Sequence, residues 1–429
     1  MSANPGLGYE DTPPFSVPLR FFLTAPLFGL AAGGVVLVDG GLLQSRWTPG
    51  ALAVVHLVAA GFMLQVMLGA LLQILPVVAG ARFTSPPRLA ALIHVTATPG
   101  GAALAWGLGH GAPSAILGGA ALLGAALLIF IGTAWLAVRR APAPASAAAS
   151  ATPRDLRLAL FGLLAAGGFG VLLAFVLGRG VAPPAPFSAL AFPTLVDLHA
   201  GWAWLGWAGM LLAATSWVVV PMFQITPPYP GRLTARWGLA VIVVLLAWTA
   251  SLGAGFERTA GMLGVLLLAL GAAFAGTTLR VQAQSRRATP DAPFRAFQSA
   301  MLALLAGIGA LAVAQVSEDP RWTVAAGILI LHGGFTAAIE SMLYKIVPFL
   351  AWLHLTQARR KAPNMKKLLP AAPVRGQLLM HGAALGALLA SLVVGALAPL
   401  AGMLLIGEFA WLLANLLRVV RTWRRTMAG

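Results

Sequence analysis

The chain has 429 residues, of which 59% are hydrophobic and only 9% are charged. Soluble globular domains carry roughly 25% charged residues, so this composition excludes an ordinary soluble protein and indicates an integral membrane protein. The net charge of +17 does not indicate a nucleic-acid partner, because the basic residues lie in short segments between apolar stretches. The absence of cysteine excludes disulfides, thiolate metal ligands and iron–sulfur clusters, but it leaves haem bound by histidine open.

Apolar stretches of about 20 residues, the length needed to cross a bilayer, recur along the whole chain. We predict an all-α, polytopic membrane protein with about twelve transmembrane helices in a single transmembrane domain, 1–429. The predicted spans are 20–43, 50–78, 88–109, 114–138, 156–179, 195–221, 233–253, 259–281, 297–317, 322–350, 376–396 and 398–420. Residues 1–19 are predicted to form a cytoplasmic N-terminal segment, and 139–155 and 351–375 are predicted to form cytoplasmic loops.

The distribution of basic residues predicts the orientation of these spans. Of the 28 lysines and arginines, 23 fall on the side that holds both termini. Four fall on the other side (Arg46, Arg179, Arg258 and Arg321), and Lys345 lies within a span. Because cytoplasmic segments carry an excess of lysine and arginine, both termini are predicted to be cytoplasmic. The lipid bilayer is the expected partner, and a bacterial inner (cytoplasmic) membrane is the expected location.

The tenth span carries His332, Glu340 and Lys345 within an apolar stretch. A charged side chain in hydrocarbon costs at least about 2.5–3.5 kcal/mol, so such residues normally face a partner, a cavity or a cofactor. His332, Thr336 and Glu340 are spaced four residues apart and therefore share one face of a helix. Glu340 and Lys345 fit a proton path and a structural salt bridge equally well.

Three histidines occupy related positions in the second, sixth and tenth spans. His56, His199 and His332 all fall in the outer half of the membrane under the predicted orientation, and each is followed by a proline towards the inner end (Pro76, Pro221 and Pro348). This recurrence predicts a shared metal or cofactor site. Met67 and Met210 each follow their histidine by eleven residues, which returns to the same helical face, so they are candidates for cofactor contact or for packing.

Small residues follow two of these histidines on the same side: Ala60 in the second span, and Ala203 and Gly206 in the sixth. Such a face leaves room for a flat ligand, or equally for the close approach of another helix. The other histidines (His94, His110, His354 and His381) are assigned structural roles, although His94 is also a candidate for a second site. Glu408 is assigned no role.

Twelve spans with inward termini, and histidines on spans 2, 6 and 10, resemble subunit I of the haem–copper oxidase superfamily. The similarity is most specific in span 2, where His56 precedes the sequence LPVVAGARF. The resemblance implies a cytochrome oxidase subunit I-like bundle, a low-spin haem ligated by His56 and His332, and a copper ion at His199.

Two departures indicate that a complete haem–copper centre is absent. His332 stands alone where the family has an H-x-H pair, and span 7 has no histidine. The NnrS family of haem- and copper-containing membrane proteins, linked to nitric oxide stress, is similar to such a reduced relative.

The resemblance implies a haem-binding membrane redox protein that performs electron transfer, or nitric oxide or oxygen chemistry. The expected cofactors are a b-type haem and copper, and the electrons would come from quinol or a separate donor protein. If the protein is an enzyme, the expected class is oxidoreductase. The alternatives are a proton-coupled membrane transporter with a His/Glu/Lys polar path, and an accessory factor that binds metal or haem transiently.

Overall fold

The computed structural model describes residues 8–142 and 151–428, and these residues form helices and no strand. Twelve helices are long, which confirms the all-α class. We label them α1 to α12 in chain order: Ser16–Val38, Pro49–Ala79, Pro86–His110, Pro113–Arg139, Ala151–Arg179, Phe192–Gln224, Gly231–Gly253, Glu257–Ala283, Ala292–Ala314, Arg321–Gln357, Ala371–Ser391 and Ala398–Ala428.

Eleven of these twelve helices are long and apolar enough to cross a membrane. The remaining one, α11, has 21 residues but is more polar, since it carries Arg375, Gln377 and His381. Its Gln377 and His381 side chains are buried. The polarity of α11 is therefore directed partly into the bundle.

Local signals in the sequence explain several helix ends. Helix α2 begins after Thr48, whose hydroxyl accepts a hydrogen bond from the backbone amide of Ala51 at 3.2 Å. Gly80 ends α2 in a left-handed conformation with φ 63°, which a residue without Cβ adopts at little cost. Both predicted loops are partly helical. In 139–155, α5 already begins at Ala151, and in 351–375, α10 continues to Gln357 and a short helix occupies Met365–Leu368. Part of the 139–155 loop, residues 143–150, lies outside the described residues.

Both ends of the chain lie at the same end of the bundle. The rings of Phe15, just before α1, and Trp423, near the end of α12, are 5.2 Å apart. His354, near the end of α10, lies 3.1 Å through its Nε2 from the carbonyl oxygen of Pro13. The residue before α1 and the end of α12 therefore lie at the same end of the helix bundle.

Candidate functional site

The three helices singled out by their histidines each contain a π-helical segment beside the histidine. These segments are Leu57–Met63 in α2, Trp202–Gly209 in α6 and Ile328–Thr336 in α10. π-Helical turns are rare and are found frequently at functional sites. The three helices thus share a π-helical segment in addition to the histidine and downstream proline that recur in their sequences.

His56 on α2 and His199 on α6 form a pair. Their ring centroids are 6.4 Å apart, and the ring planes are within 7° of parallel. A metal ion bound to two imidazoles at about 2.0 Å would separate the ring centres by about 6 Å. The spacing of the pair therefore fits one metal ion held between the two rings.

The hydrogen bonds of this pair leave the same nitrogen free on each ring. The Nδ1 atom of His56 lies 2.7 Å from the carbonyl oxygen of Leu52, and that of His199 lies 3.0 Å from the carbonyl oxygen of Ala166. Because a carbonyl only accepts, each Nδ1 carries the proton and each neutral ring keeps its lone pair on Nε2. Among the described residues, neither Nε2 has a hydrogen-bond partner. This is the arrangement that orients a metal-ligating histidine.

Both imidazoles of the pair remain partly accessible although their helices are deeply packed. In the most apolar 18-residue stretch of α2, 61% of the residues are buried, and in the corresponding stretch of α6, 67% of the residues are buried. His56 and His199 are nevertheless only half-buried. Part of each of these two residues therefore stays accessible in the folded chain.

Glycines on α5 bring that helix against α6 and the ring of His199. A methyl group added at Gly170 would lie 3.1 Å from Cε1 of His199, whereas one added at Gly162 would overlap the carbonyl oxygen of Gly206. Gly206 therefore serves close helix packing, one of the two roles predicted for the small residues. Ala60 likewise approaches α3, since its carbonyl oxygen would lie 3.5 Å from a methyl group at Gly101.

An ion pair joins the segments that hold the two histidines. Arg46, before α2, contacts the carboxylate of Asp197 on α6 at 2.7 Å. Both side chains are more than one-third exposed, so the pair contributes modestly, about 0.2–1 kcal/mol. Asp197 lies two residues before His199, so the ion pair links α6 to the segment just before α2.

His332 on α10 belongs to a second group, with His381 on α11 and Glu408 on α12. One possible ligand atom from each of the three residues can be chosen so that all lie within 4.8 Å of one another, and all three side chains are buried. Nδ1 of His381 is 2.8 Å from Oε1 of Glu408, and Nε2 of His332 is 3.4 Å from Oε2 of Glu408. Glu340 lies beside them, with Oε2 3.4 Å from Nδ1 of His381. We call these four residues the His/Glu cluster.

The His/Glu cluster contains polar atoms that the protein itself leaves unsatisfied. Within residues 8–142 and 151–428, five buried atoms of the cluster have no hydrogen-bond partner: Nε2 of His332, Nε2 of His381, both carboxylate oxygens of Glu340, and Oε2 of Glu408. Each such atom costs about 1–3 kcal/mol. Glu340 and Glu408 are also fully buried, so their charges require compensation within the bundle. The arrangement can hold either a cation or protons.

The structure places the rings of the three predicted histidines in two separate pairs. His56 and His199 pair with each other, whereas the ring against His332 is that of His381, with centroids 4.4 Å apart. The ligand assignment implied by the resemblance, His56 and His332 to haem and His199 to copper, stays a prediction. The ring contacts favour a different pairing, because the partner of His332 comes from α11, a helix to which the resemblance assigned no ligand.

The two methionines occupy packing positions. Met210 is fully buried in the hydrophobic core. Met67 is also buried and lines an apolar cavity of about 170 Å³ between α2, α6 and α10. The methionine of α2 thus faces this central cavity, and its role in cofactor contact stays a prediction.

The two charged groups of α10 have different partners. Glu340 belongs to the His/Glu cluster, and Lys345 forms an ion pair with Asp291, which precedes α9. Arg287 also contacts Asp291, at 2.9 Å. Burial tends to raise the pKa of Asp291, but the hydrogen bond and charge of Lys345, with Arg287, hold that pKa below its ordinary value. For Lys345 the structure thus favours the salt bridge over the proton path.

The sequence interpretation missed His381 and Glu408. His381 was assigned a structural role because it was placed near the cytoplasmic side, and Glu408 was assigned none because it lies far along the chain from the other candidates. One signal was present: both interrupt apolar spans, where an ionisable side chain has a functional or paired role by default. His332, Thr336 and Glu340 of α10 are all buried, as expected for polar residues that face the inside of the bundle.

No protein-family model matches the chain, and no curated protein matches it significantly. The geometry of the histidines and the resemblance are therefore the grounds for a functional proposal.

Proposed function

We propose that this polytopic membrane protein binds a haem through His56 and His199 and serves in electron transfer. The observation that carries the proposal is the near-parallel pair of imidazoles with centroids 6.4 Å apart. The proposal keeps the haem cofactor implied by the resemblance to haem–copper oxidase subunit I, but it assigns the second axial ligand to α6 rather than α10.

The local chemistry supports axial ligation by these two residues. Each ring is oriented by a carbonyl oxygen at Nδ1 and presents a free Nε2. Hydrogen bonds to the ring nitrogen that does not bind the metal typically change metal affinity by about 10–100-fold. The two ligands are contributed by the second and sixth helices, which the Arg46–Asp197 ion pair connects.

The absence of cysteine determines how a haem would be held. Covalent attachment needs cysteine, and the chain has none, so a bound haem would be non-covalent, and we propose the b type. When bound, a haem with two imidazole ligands supplies a one-electron couple without an open coordination position, which favours electron transfer over ligand chemistry. With His199 engaged there, a copper ion at His199 is not part of the proposal. Quinol or a separate protein is the proposed electron donor.

The test is the optical spectrum of the full chain purified in detergent from haem-replete cells. The unsubstituted protein should show a low-spin Soret band, and His56→Ala and His199→Ala should each lower haem content at least about tenfold. His110→Ala is the matched control, because His110 is exposed and its Nδ1 likewise lies near a backbone carbonyl, that of Trp106.

Two outcomes would overturn the proposal. One is a colourless, monodisperse protein from haem-replete cells. The other is haem that survives both His56→Ala and His199→Ala. Loss of haem in His332→Ala but not in His199→Ala would instead support the ligand pair implied by the resemblance.

Proton-coupled transport stays the alternative proposal, and it draws on His332 and Glu340. The third member of its path, Lys345, is already paired with Asp291, the residue immediately before α9. Haem content separates the two proposals, because a transporter needs none.

A further inference from the structure

We propose that the His/Glu cluster is a site for one divalent transition-metal ion, ligated by His332, His381 and Glu408 with Glu340 as the second carboxylate. This site lies between α10, α11 and α12 and shares no residue with the His56–His199 pair. It therefore goes beyond the haem proposal and stands or falls independently of it.

The positions of the donor atoms fit a single ion. Ligands at about 2.0–2.2 Å from a tetrahedral ion are about 3.3–3.6 Å from one another. In the cluster, Nε2 of His332 is 3.4 Å from Oε2 of Glu408, and Nδ1 of His381 is 3.4 Å from Oε2 of Glu340. Small side-chain rotations would bring these donors around one centre, because the candidate ligand atoms of His332, His381 and Glu408 already lie within 4.8 Å of one another.

The charges of the cluster specify a dication. Two glutamates with two neutral imidazoles carry a charge of minus two, and all four side chains are buried in the membrane-spanning part of the bundle. A divalent ion brings the group to neutrality, which removes the main cost of placing ionised groups in a low-dielectric interior. A monovalent ion would leave a net charge there.

The donor types specify the class of metal. Imidazole suits zinc, iron, copper and nickel, and carboxylate extends the set to manganese. Calcium and magnesium prefer oxygen ligands alone, so the two histidines disfavour them. A mixed nitrogen and oxygen set without sulfur therefore indicates a first-row transition ion.

The unsatisfied atoms separate this interpretation from a closed network of hydrogen bonds. A network built only for stability would satisfy its members, yet five polar atoms of the cluster have no partner and are inaccessible to solvent. Among them is Nε2 of His332, which faces Glu408 at 3.4 Å without the geometry of a hydrogen bond. A bound ion between Nε2 of His332 and Oε2 of Glu408 would satisfy both of these unpartnered atoms.

The experiment uses Co²⁺ as a visible probe on the full chain in detergent, after removal of bound metal with a chelator. The unsubstituted protein should bind a single Co²⁺ per chain with ligand-field absorption bands, and Zn²⁺ should displace it. Glu408→Gln should weaken Co²⁺ binding at least about tenfold, because the variant keeps an acceptor for His381 but removes the ligand charge. Glu257→Gln, the same change at an exposed position, should bind like the unsubstituted protein.

Independence from the haem site is tested with a variant in which both His56 and His199 are replaced by alanine. This variant should still bind Co²⁺ with unchanged affinity. A monodisperse Glu408→Gln variant that binds Co²⁺ as tightly as the unsubstituted protein would overturn the metal site. If that variant aggregates, the titration of the unsubstituted protein decides alone, and absence of the absorption bands would assign the cluster to proton sharing.

Discussion

Replacing Gly170 by alanine should weaken haem binding without unfolding the protein. Gly170 and Ala166 lie one turn apart on α5, so both face His199. The added methyl group would be 3.1 Å from Cε1 and 3.5 Å from Nδ1 of His199, and ordinary contacts begin at 3.4 Å. The imidazole must therefore withdraw from α5 by a few tenths of an ångström, which lengthens its 3.0 Å contact with the carbonyl oxygen of Ala166.

The cost of that displacement follows from the hydrogen bond it disturbs. A typical hydrogen bond of this kind contributes about 0.5–1.5 kcal/mol, so its loss would lower haem affinity about 2–10-fold. The matched control is Gly168→Ala on the same helix, where an added methyl group meets nothing within 4 Å. Both substitutions share the gain in helix propensity, up to about 1 kcal/mol, so their difference isolates the contact with His199.

The assay is haem titration of the two purified variants, followed by the midpoint potential of the bound haem. Gly170→Ala should bind haem more weakly than Gly168→Ala and should show a shifted potential. Equal affinity and equal potential in the two variants would refute the assignment of His199 as an oriented axial ligand.

Three further predictions concern stability, measured as thermal unfolding in detergent. Asp291→Asn should destabilise the protein by about 1–3 kcal/mol at neutral pH, because it leaves Lys345 unpaired. In the unsubstituted protein, the contribution of this ion pair to stability should fall as pH drops below about 3.9, the pKa of an unfolded-state aspartate. The folded-state pKa of Asp291 is lower, so its stabilisation is fully present above about 3.9 and is lost as pH falls through the folded-state pKa. An Asp291→Asn variant with the same pH profile as the unsubstituted protein would contradict this. Gly162→Ala should cost about 1–3 kcal/mol through overlap with Gly206, and a variant as stable as the unsubstituted protein would show that α5 and α6 adjust freely. Thr48→Ala should cost about 1 kcal/mol through loss of the α2 cap, and an effect near zero would show that the cap is dispensable.

The sequence was sufficient to predict where the long helices lie and that some of their polar residues are buried. Hydropathy located α2 to within one residue at each end, 50–78 against Pro49–Ala79, because an apolar run of that length has few alternatives in a bilayer. It misplaced α11 by five residues, 376–396 against Ala371–Ser391, because polar side chains that face the bundle weaken the apolar signal there.

What the sequence by itself determined is that His332 and Glu340 lie in one long apolar helix and away from its exposed surface, since an ionisable side chain in hydrocarbon is costly. Only the tertiary structure decided which histidine meets which. The partners of His332 come from α11 and α12, 49 and 76 residues further along the chain. A π-helical segment contains His332 and others follow His56 and His199, which changes the direction of the side chains in these helices. Contacts between helices depend on packing angle and local winding, and neither is encoded in the spacing of residues along one helix.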